Sequence, residues 1–193
     1  MPERSVRSIV DRQRTAAVER IVPMFAAIEV ISVFLVSVAM SLALAHALEF
    51  PGKLRLDRQT YVAMQPIYYP GFTYGGGIGE GLGMVATLVL LLMTPAGSMR
   101  FWWTLGALAA LVAMHAAYWI FTHPVNKFWL KDQQLQGHWR GFFGFDPLRR
   151  RGRKEPAADD GWERARDRWE YSHVLRAILS IIALLMLTIA VTQ

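Results

Sequence analysis

Four long apolar runs constrain this sequence more than any other feature. They lie at about residues 21–48, 75–93, 101–121 and 172–191. Each is close to or above the length of about 18 apolar residues at which a helix crosses the hydrocarbon core of a bilayer. Backbone polar groups must be satisfied inside lipid, so these runs are expected to be helices. The sequence therefore predicts an all-α fold, an integral membrane four-helix bundle.

The polar residues outside the runs predict a basic N-terminal arm, 1–20, and a single membrane domain, 21–193. The formal net charge of +6 is interpreted as membrane topology and headgroup attraction, so lipid and not nucleic acid is the expected partner. We expect a bacterial inner-membrane location, whereas the orientation and the oligomeric state (homo-oligomer or larger membrane complex) stay open. The chain contains no cysteine, which excludes thiolate metal sites and disulfide relays.

The two long connections are expected on one side of the membrane, here called the loop side, because consecutive spans alternate in direction. Span one is predicted to end at Pro51, since proline and the glycine after it stop a helix. A polar loop, 124–161, separates spans three and four. The last helix is predicted to begin near Trp162, outside the bilayer, and to continue without a break to Val191. The opposite face is called the arm side.

Span two opens with glycines at alternate positions. Gly75, Gly79 and Gly83 recur at four-residue intervals, a spacing that places them on one helix face. Small residues on one face let another helix approach closely in lipid. We therefore interpret them as a helix-packing surface and not as a phosphate-binding loop, because no strand precedes them and no lysine follows.

Polar side chains from different helix ends are expected to meet at the loop side. The residues that reach this level are His46, Glu49, Glu80, His123, Asn126, His173 and Arg176. Charges inside a bilayer cost several kcal/mol unless they are paired or hydrated, so such groups usually face the bundle interior and serve a function. His115, about two turns deeper than His123, is predicted to form the floor of a cavity. The predicted walls, suited to a flat lipophilic molecule, are Tyr68, Tyr69, Trp129 and Trp169.

Two kinds of chemistry fit these residue types. Histidines and carboxylates from several helices are typical ligands of a metal site in a bundle. The candidate ligands for a single iron, copper or zinc ion are His46, Glu49, Glu80, His123 and His173. Without a metal, a histidine beside a carboxylate can remove a proton from an aromatic substrate while Asn or Arg stabilises the oxyanion. The cofactor, one metal ion or none, is left open, and so is a purely structural ion pair between Glu49 and Arg176.

Four short motifs resemble bacterial members of the anthrone oxygenase-like family, which are small four-helix membrane proteins. The motifs are HALEFPGK at 46–53, YYPGF at 68–72, THPVNK at 122–127 and WEYSHVLR at 169–176. Through the fungal members of the family, the resemblance implies oxidation of anthrones to anthraquinones without a conventional cofactor. The positions to which it assigns catalytic roles are His123, Asn126, Trp169, His173 and Arg176. The long basic loop and the pair of His46 and Glu49 depart from the fungal pattern.

Three hypotheses for the function follow. The first is a membrane oxidoreductase, oxygenase-like, that acts on a lipophilic aromatic or quinone-like molecule at the loop side. The second is a non-catalytic membrane subunit or small-molecule-binding protein whose polar cluster holds the helices in register. The third is a transporter formed by an oligomer. Substitutions at His46, Glu80 or His173 are expected to remove activity from a folded protein under the first hypothesis and to damage folding under the second.

Overall fold

The described part of the chain is built from helices. The computed structural model describes residues 2–69, 71–129 and 161–193, of which 2–21, 127 and 128 are described in their backbone only. The elements are α1 (Pro2–Lys53), α2 (Arg58–Met64), a 3₁₀ turn (Gln65–Tyr68), α3 (Gly71–Met93), α4 (Met99–Ala117), a π turn (Tyr118–Thr122), α5 (His123–Trp129) and α6 (Trp162–Val191).

Four segments are long and apolar enough to cross a membrane. They are Val22–Lys53, Gly71–Met93, Met99–Asn126 and Trp162–Val191. The third combines α4, the π turn and the start of α5 into one continuous helical rod. The prediction of an all-α integral membrane four-helix bundle is therefore confirmed, and the last helix begins at Trp162 as expected.

The first helix is longer than the predicted first span at both ends. α1 begins at Pro2, so most of the predicted arm belongs to the same helix as the span. At its other end the helix passes through Pro51 and reaches Lys53. Proline removes one backbone donor but its own φ is compatible with a helix. The amide of Leu54 still bonds to the carbonyl of Phe50 at 3.1 Å, so the stop expected at the proline occurs after Lys53.

The third span continues past its predicted end, through the π turn at Tyr118–Thr122 into α5. Pro124 accounts for the irregular turn, because its nitrogen cannot donate to the carbonyl of Ile120. Arg168 of α6 donates to that carbonyl instead, at 2.6 Å. The first part of the predicted polar loop, 124–129, is therefore helical, and its remainder up to residue 160 lies outside the described residues.

The apolar core lies between all four spans. α1 packs against α3 and α6, and α6 also packs against α4. The most deeply buried apolar members of this core are Val36, Leu90, Ala107, Leu111, Ala183 and Leu187. At the arm side, Arg100 of α4 pairs with Glu29 of α1, with 3.1 Å between Nη1 and Oε1. Many apolar side chains on the outer faces remain exposed, as expected for helices that are surrounded by lipid.

The glycines of α3 serve two different surfaces. The three glycines predicted to form a packing face lie against α1, and a Cβ added at Gly79 would approach the backbone nitrogen of Ala39 to 3.1 Å. Gly76, Gly77 and Gly81 face open space instead, where an added Cβ would meet no atom of the described chain within 4 Å. α3 thus packs tightly against α1 through one set of glycines, and its other glycines form a surface without side chains.

The contact at Gly79 gives a stability prediction. We expect Gly79→Ala to destabilise the bundle by about 1–3 kcal/mol, because the new methyl group would be forced against the α1 backbone. Gly77→Ala is the matched control on the same helix, and we expect it to stabilise the bundle by about 0.5–1 kcal/mol because alanine is the better helix former. Thermal unfolding in detergent measures both variants. Equal stabilities would contradict the close packing of α1 and α3.

Candidate functional site

A cavity of about 280 Å³ lies in the loop-side half of the bundle. α1, α3, the region from α4 to α5 and α6 all contribute to its walls, together with the residues that precede α3. Predicted site residues that line it are His46, Tyr68, Tyr69, Glu80, His115, Asn126, Trp169, His173 and Arg176. Nine of the twelve predicted site residues therefore line one cavity.

Two imidazoles form the buried wall of the cavity. His46 of α1 and His173 of α6 are 6% and 4% exposed, and their ring centroids are 4.2 Å apart at an interplanar angle of 51°. Trp169 lies against His173, with 4.2 Å between ring centroids. The Nδ1 atoms of both histidines are buried and have no hydrogen-bond partner within the described chain. Buried ring nitrogens are normally bonded, so the two Nδ1 atoms retain unused hydrogen-bonding capacity.

A charged network forms the deep end of the cavity. Glu80 of α3 accepts from Nη2 of Arg176 at 2.7 Å and from Nδ1 of His115 at 2.7 Å. The Trp119 indole donates to Nε2 of His115 at 2.9 Å. An indole N–H can only donate, so Nε2 accepts and the ring proton sits on Nδ1, where it is donated to the carboxylate. The buried charge of Glu80 is therefore balanced by Arg176 and oriented by His115.

Arg176 has one hydrogen-bond donor that is not used within the described chain. Its Nη2 binds Glu80, and its guanidinium lies over the ring of Tyr118, 5.2 Å from the centroid. Its Nε is buried and has no hydrogen-bond partner among the described residues. A guanidinium is charged at any physiological pH, so this free N–H is a donor suited to an anionic oxygen.

Asn126 closes the cavity toward the loop side. Its Oδ1 accepts from the Tyr69 hydroxyl at 3.0 Å and from the Trp169 indole at 2.8 Å. Burial raises the pKa of Tyr69 well above its ordinary value, which keeps the hydroxyl protonated as a donor. Asn126 belongs to α5, Tyr69 to the segment before α3, and Trp169 to α6. These two hydrogen bonds therefore join three parts of the chain, which together form the loop-side roof of the cavity.

A second charged cluster lies beside the cavity and fixes the segment between α1 and α3. Lys53 is 2% exposed and its Nζ lies 3.0 Å from Glu49 and 3.5 Å from Glu170. The Tyr61 hydroxyl donates to Glu170 at 2.8 Å, and the Tyr68 hydroxyl donates to Glu49 at 2.6 Å. Burial, followed by the charge of Glu170, raises the pKa of Tyr61. This cluster anchors the segment that carries the cavity wall.

Three predicted site residues do not line the cavity. Glu49 belongs to the Lys53 cluster, and Arg176 pairs with Glu80, so the ion pair considered between Glu49 and Arg176 is not formed. His123 packs beside Trp119, with 4.7 Å between ring centroids. Its predicted place at the cavity assumes a regular helix from His115 to His123, and the wider π turn between them changes the face on which His123 lies.

Trp129 is the third of these residues. It packs against Tyr61, with 5.3 Å between ring centroids, in an aromatic core outside the cavity. Its placement as a substrate-binding residue followed from its expected position in a loop. It lies instead in the last turn of α5, which extends beyond the bundle core.

The predicted metal ligands are not gathered into one set. Within the described ranges, no group of three or more His, Asp or Glu side chains is placed to hold a metal ion. His46 and His173 stack on each other, Glu80 is bound by Arg176 and His115, and Glu49 is bound by Lys53. The geometry of the candidate site is that of paired imidazoles and satisfied carboxylates.

Several residues of the site are not among those predicted from the sequence. Trp119 turns inward and donates to His115; the four-residue spacing of the two residues was the available signal. Phe72, Tyr118 and the side-chain-free wall of α3 also line the cavity. Lys53 and Glu170 lie inside the motifs quoted above, but nothing in their spacing predicts that they pair across two helices.

Comparison of the chain with protein-family models, with curated proteins and with solved structures finds no significant match.

Proposed function

We propose that this chain is an oxygenase-like membrane oxidoreductase that binds a flat, lipophilic, hydroxylated aromatic or quinone-like molecule in the cavity. The observation that carries the proposal is a set of three buried, unpartnered polar atoms on residues that line one space: Nδ1 of His46, Nδ1 of His173 and Nε of Arg176. Such atoms are costly to leave without partners. All three atoms are buried, so a bound molecule with a carbonyl or hydroxyl group would satisfy them after small rotations of the side chains that line the cavity.

The walls support an aromatic ligand. Tyr68 and Phe72 lie 4.6 Å from the His46 ring, centroid to centroid, and Trp169 completes the stack beside His173. Aromatic side chains favour offset or edge contacts with other rings. The cavity volume of about 280 Å³ is close to the lower end, about 300 Å³, of sites that hold small ligands.

The three unpartnered nitrogen atoms support a reaction in which a proton is removed and an oxyanion is stabilised. An imidazole of the pair takes a proton from the CH₂ group that lies across the central ring from the carbonyl, and the Arg176 N–H binds the resulting enolate oxygen. The electron pair left on carbon forms a C–O bond to O₂, which is the oxidant, and the resulting peroxide takes up a proton. Transfer of the second C–H proton to an imidazole forms the C=O bond and breaks the O–O bond, and the departing hydroxide takes that proton back to become water. The CH₂ group and O₂ thus become a carbonyl group and water, the reaction that the anthrone oxygenase-like resemblance implies.

The test uses purified protein in lipid nanodiscs with anthrone, a hydroxylated anthrone and a naphthoquinone as probes. Quenching of tryptophan fluorescence reports binding, because Trp119 and Trp169 line the cavity. An oxygen electrode and anthraquinone absorbance report turnover, and the expected result is one O₂ consumed per anthraquinone formed. The absence of saturable binding for all three probes would contradict the proposal. The proposed setting is the bacterial inner membrane, with lipid as the surrounding partner.

A specific observation also favours the non-catalytic alternative. The carboxylates of Glu80 and Glu170 are each bound by a cation and a further donor, as they would be in a structural cluster. Under this alternative the protein binds a lipophilic molecule without changing it. Saturable probe binding with no O₂ consumption above a protein-free control would decide for the binder.

A further inference from the structure

We infer that the cavity is entered sideways from the bilayer, through a portal between α3 and the α4–π region, and that glycines of α3 set the size of what enters. This inference rests on the proposed function, since it concerns the ligand of the same cavity. The portal is defined by Gly77 and Gly81 on one edge and by His115 and Trp119 on the other; all four line the cavity.

Exposure identifies the open side. The side chain of His115 is 42% exposed and Gly77 is exposed, although both belong to spans. On the opposite wall His46 and His173 are 6% and 4% exposed. Among the described residues, the cavity is therefore sealed along α1 and α6 and accessible between α3 and α4.

The surface around the portal is apolar. On α3, Ile78 and Leu82 follow the two portal glycines and are 55% and 53% exposed. On α4, Val112 lies one turn from His115 and is 53% exposed. Exposed apolar side chains on a spanning helix face lipid. A molecule that reaches the portal therefore comes from the hydrocarbon region, which concentrates lipophilic aromatic compounds.

The loop-side end offers no comparable opening in the part of the chain that the structure describes. Asn126 is 4% exposed and binds both Tyr69 and Trp169. The Lys53 cluster holds the same segment against α1 and α6. Opening this roof would break several buried polar contacts at once, whereas the side between α3 and α4 is joined at its deep end by the hydrogen bond from His115 to Glu80.

The portal edge on α3 has no side chains to move aside. An added Cβ at Gly77 or Gly81 would meet no described atom within 4 Å, so the backbone itself is the edge. Gly77 and Gly81 lie one turn apart on the same side of α3. Because neither has a side chain, the opening beside α3 is wider by the space that two side chains would fill. Larger residues at these positions would fit the fold and narrow the entrance.

The first experiment locates the portal without relying on any ligand. The chain has no cysteine, so Gly77→Cys can carry a single nitroxide label in nanodiscs. Leu82→Cys is the lipid reference on the same helix and Leu54→Cys, 44% exposed before α2, is the water reference. Collision rates with O₂ and with a water-soluble nickel chelate are measured by EPR. We expect position 77 to resemble position 82, and resemblance to position 54 would overturn the portal.

The second experiment tests the size limit with anthrone as the probe. We expect Gly81→Leu to weaken anthrone binding by about tenfold or more, the scale at which filled pocket space discriminates between ligands. Gly52→Leu is the matched control, an exposed helical glycine outside the cavity where an added Cβ also meets no described atom. Unchanged binding in a folded Gly81→Leu protein would overturn the size limit. If the wild-type protein binds no probe, the proposed function fails, and the collision rates at position 77 still decide on the portal.

Discussion

Replacing Arg176 with methionine is expected to destabilise the bundle by about 3–5 kcal/mol, the range for a buried ion pair that loses one partner. The carboxylate of Glu80 is 6% exposed, and its only cationic partner within the described residues is Arg176, 12% exposed. His115 donates one hydrogen bond but does not neutralise the charge in the arrangement fixed by Trp119. Arg176→Met would therefore leave a charge in a membrane span without a counterion.

The control is the same substitution at the other interhelical ion pair. Arg100 and Glu29 are 27% and 15% exposed at the arm side, so Arg100→Met should cost about 1 kcal/mol or less. The double variant Glu80→Leu/Arg176→Met removes both charges and should recover most of the loss. Unfolding of all three variants is followed by temperature or SDS titration. An Arg176→Met protein as stable as Arg100→Met would contradict the buried pair.

The architecture of this chain could be predicted from its hydropathy, because the thickness of the bilayer sets the length of each span. The end of α3 at Met93 was predicted because an apolar run ends there. The start of α6 at Trp162 was predicted because no helix breaker separates Trp162 from the last apolar run. Alternation of spans also predicted that polar residues of all four helices share the loop side. That argument needs only the order of the runs, and it placed His46, His173 and Arg176 around one cavity.

The pairing of those residues was beyond a sequence argument. Arg176 binds Glu80 and not Glu49, because the rotation of α6 against α3 decides which carboxylate it meets, and rotation follows from the packing of many small contacts. His123 was misplaced because Pro124 forces a π turn upstream of it. A prediction from helical periodicity assumes a regular helix, so the irregular turn changes the face on which His123 lies, whereas Asn126 still lines the cavity.

The pairing pattern separates two roles among the polar groups. Carboxylates and cations are bound to one another, which stabilises the helices in register. The imidazoles of His46 and His173 have unpartnered Nδ1 atoms and contribute no such contact. Substitutions of the paired carboxylates should therefore affect folding and those of the two imidazoles should affect chemistry, whereas Arg176, which pairs with Glu80 and has an unpartnered Nε, belongs to both groups.

His173→Gln is expected to lower the turnover of anthrone by about 10²–10⁴-fold, the contribution of a general base, while the protein remains folded and still binds the probe. Glutamine retains polar atoms near the ring position but cannot accept the substrate proton at neutral pH. The Nδ1 atom of His173 makes no hydrogen bond in the described chain, so little folding energy is lost. O₂ consumption, fluorescence quenching and thermal unfolding measure the three quantities on the same preparation.

His123→Gln is the informative comparison, because the family resemblance and the structure disagree about this residue. The resemblance assigns His123 a catalytic role. In the structure its side chain is 2% exposed, packs beside Trp119 and does not line the cavity. We expect a much smaller loss of turnover than in His173→Gln. The opposite order would mean that the reacting molecule lies near α5 and not between the stacked imidazoles. A His173→Gln protein that unfolds like Arg176→Met would instead assign His173 to the scaffold and remove the base from the proposed reaction.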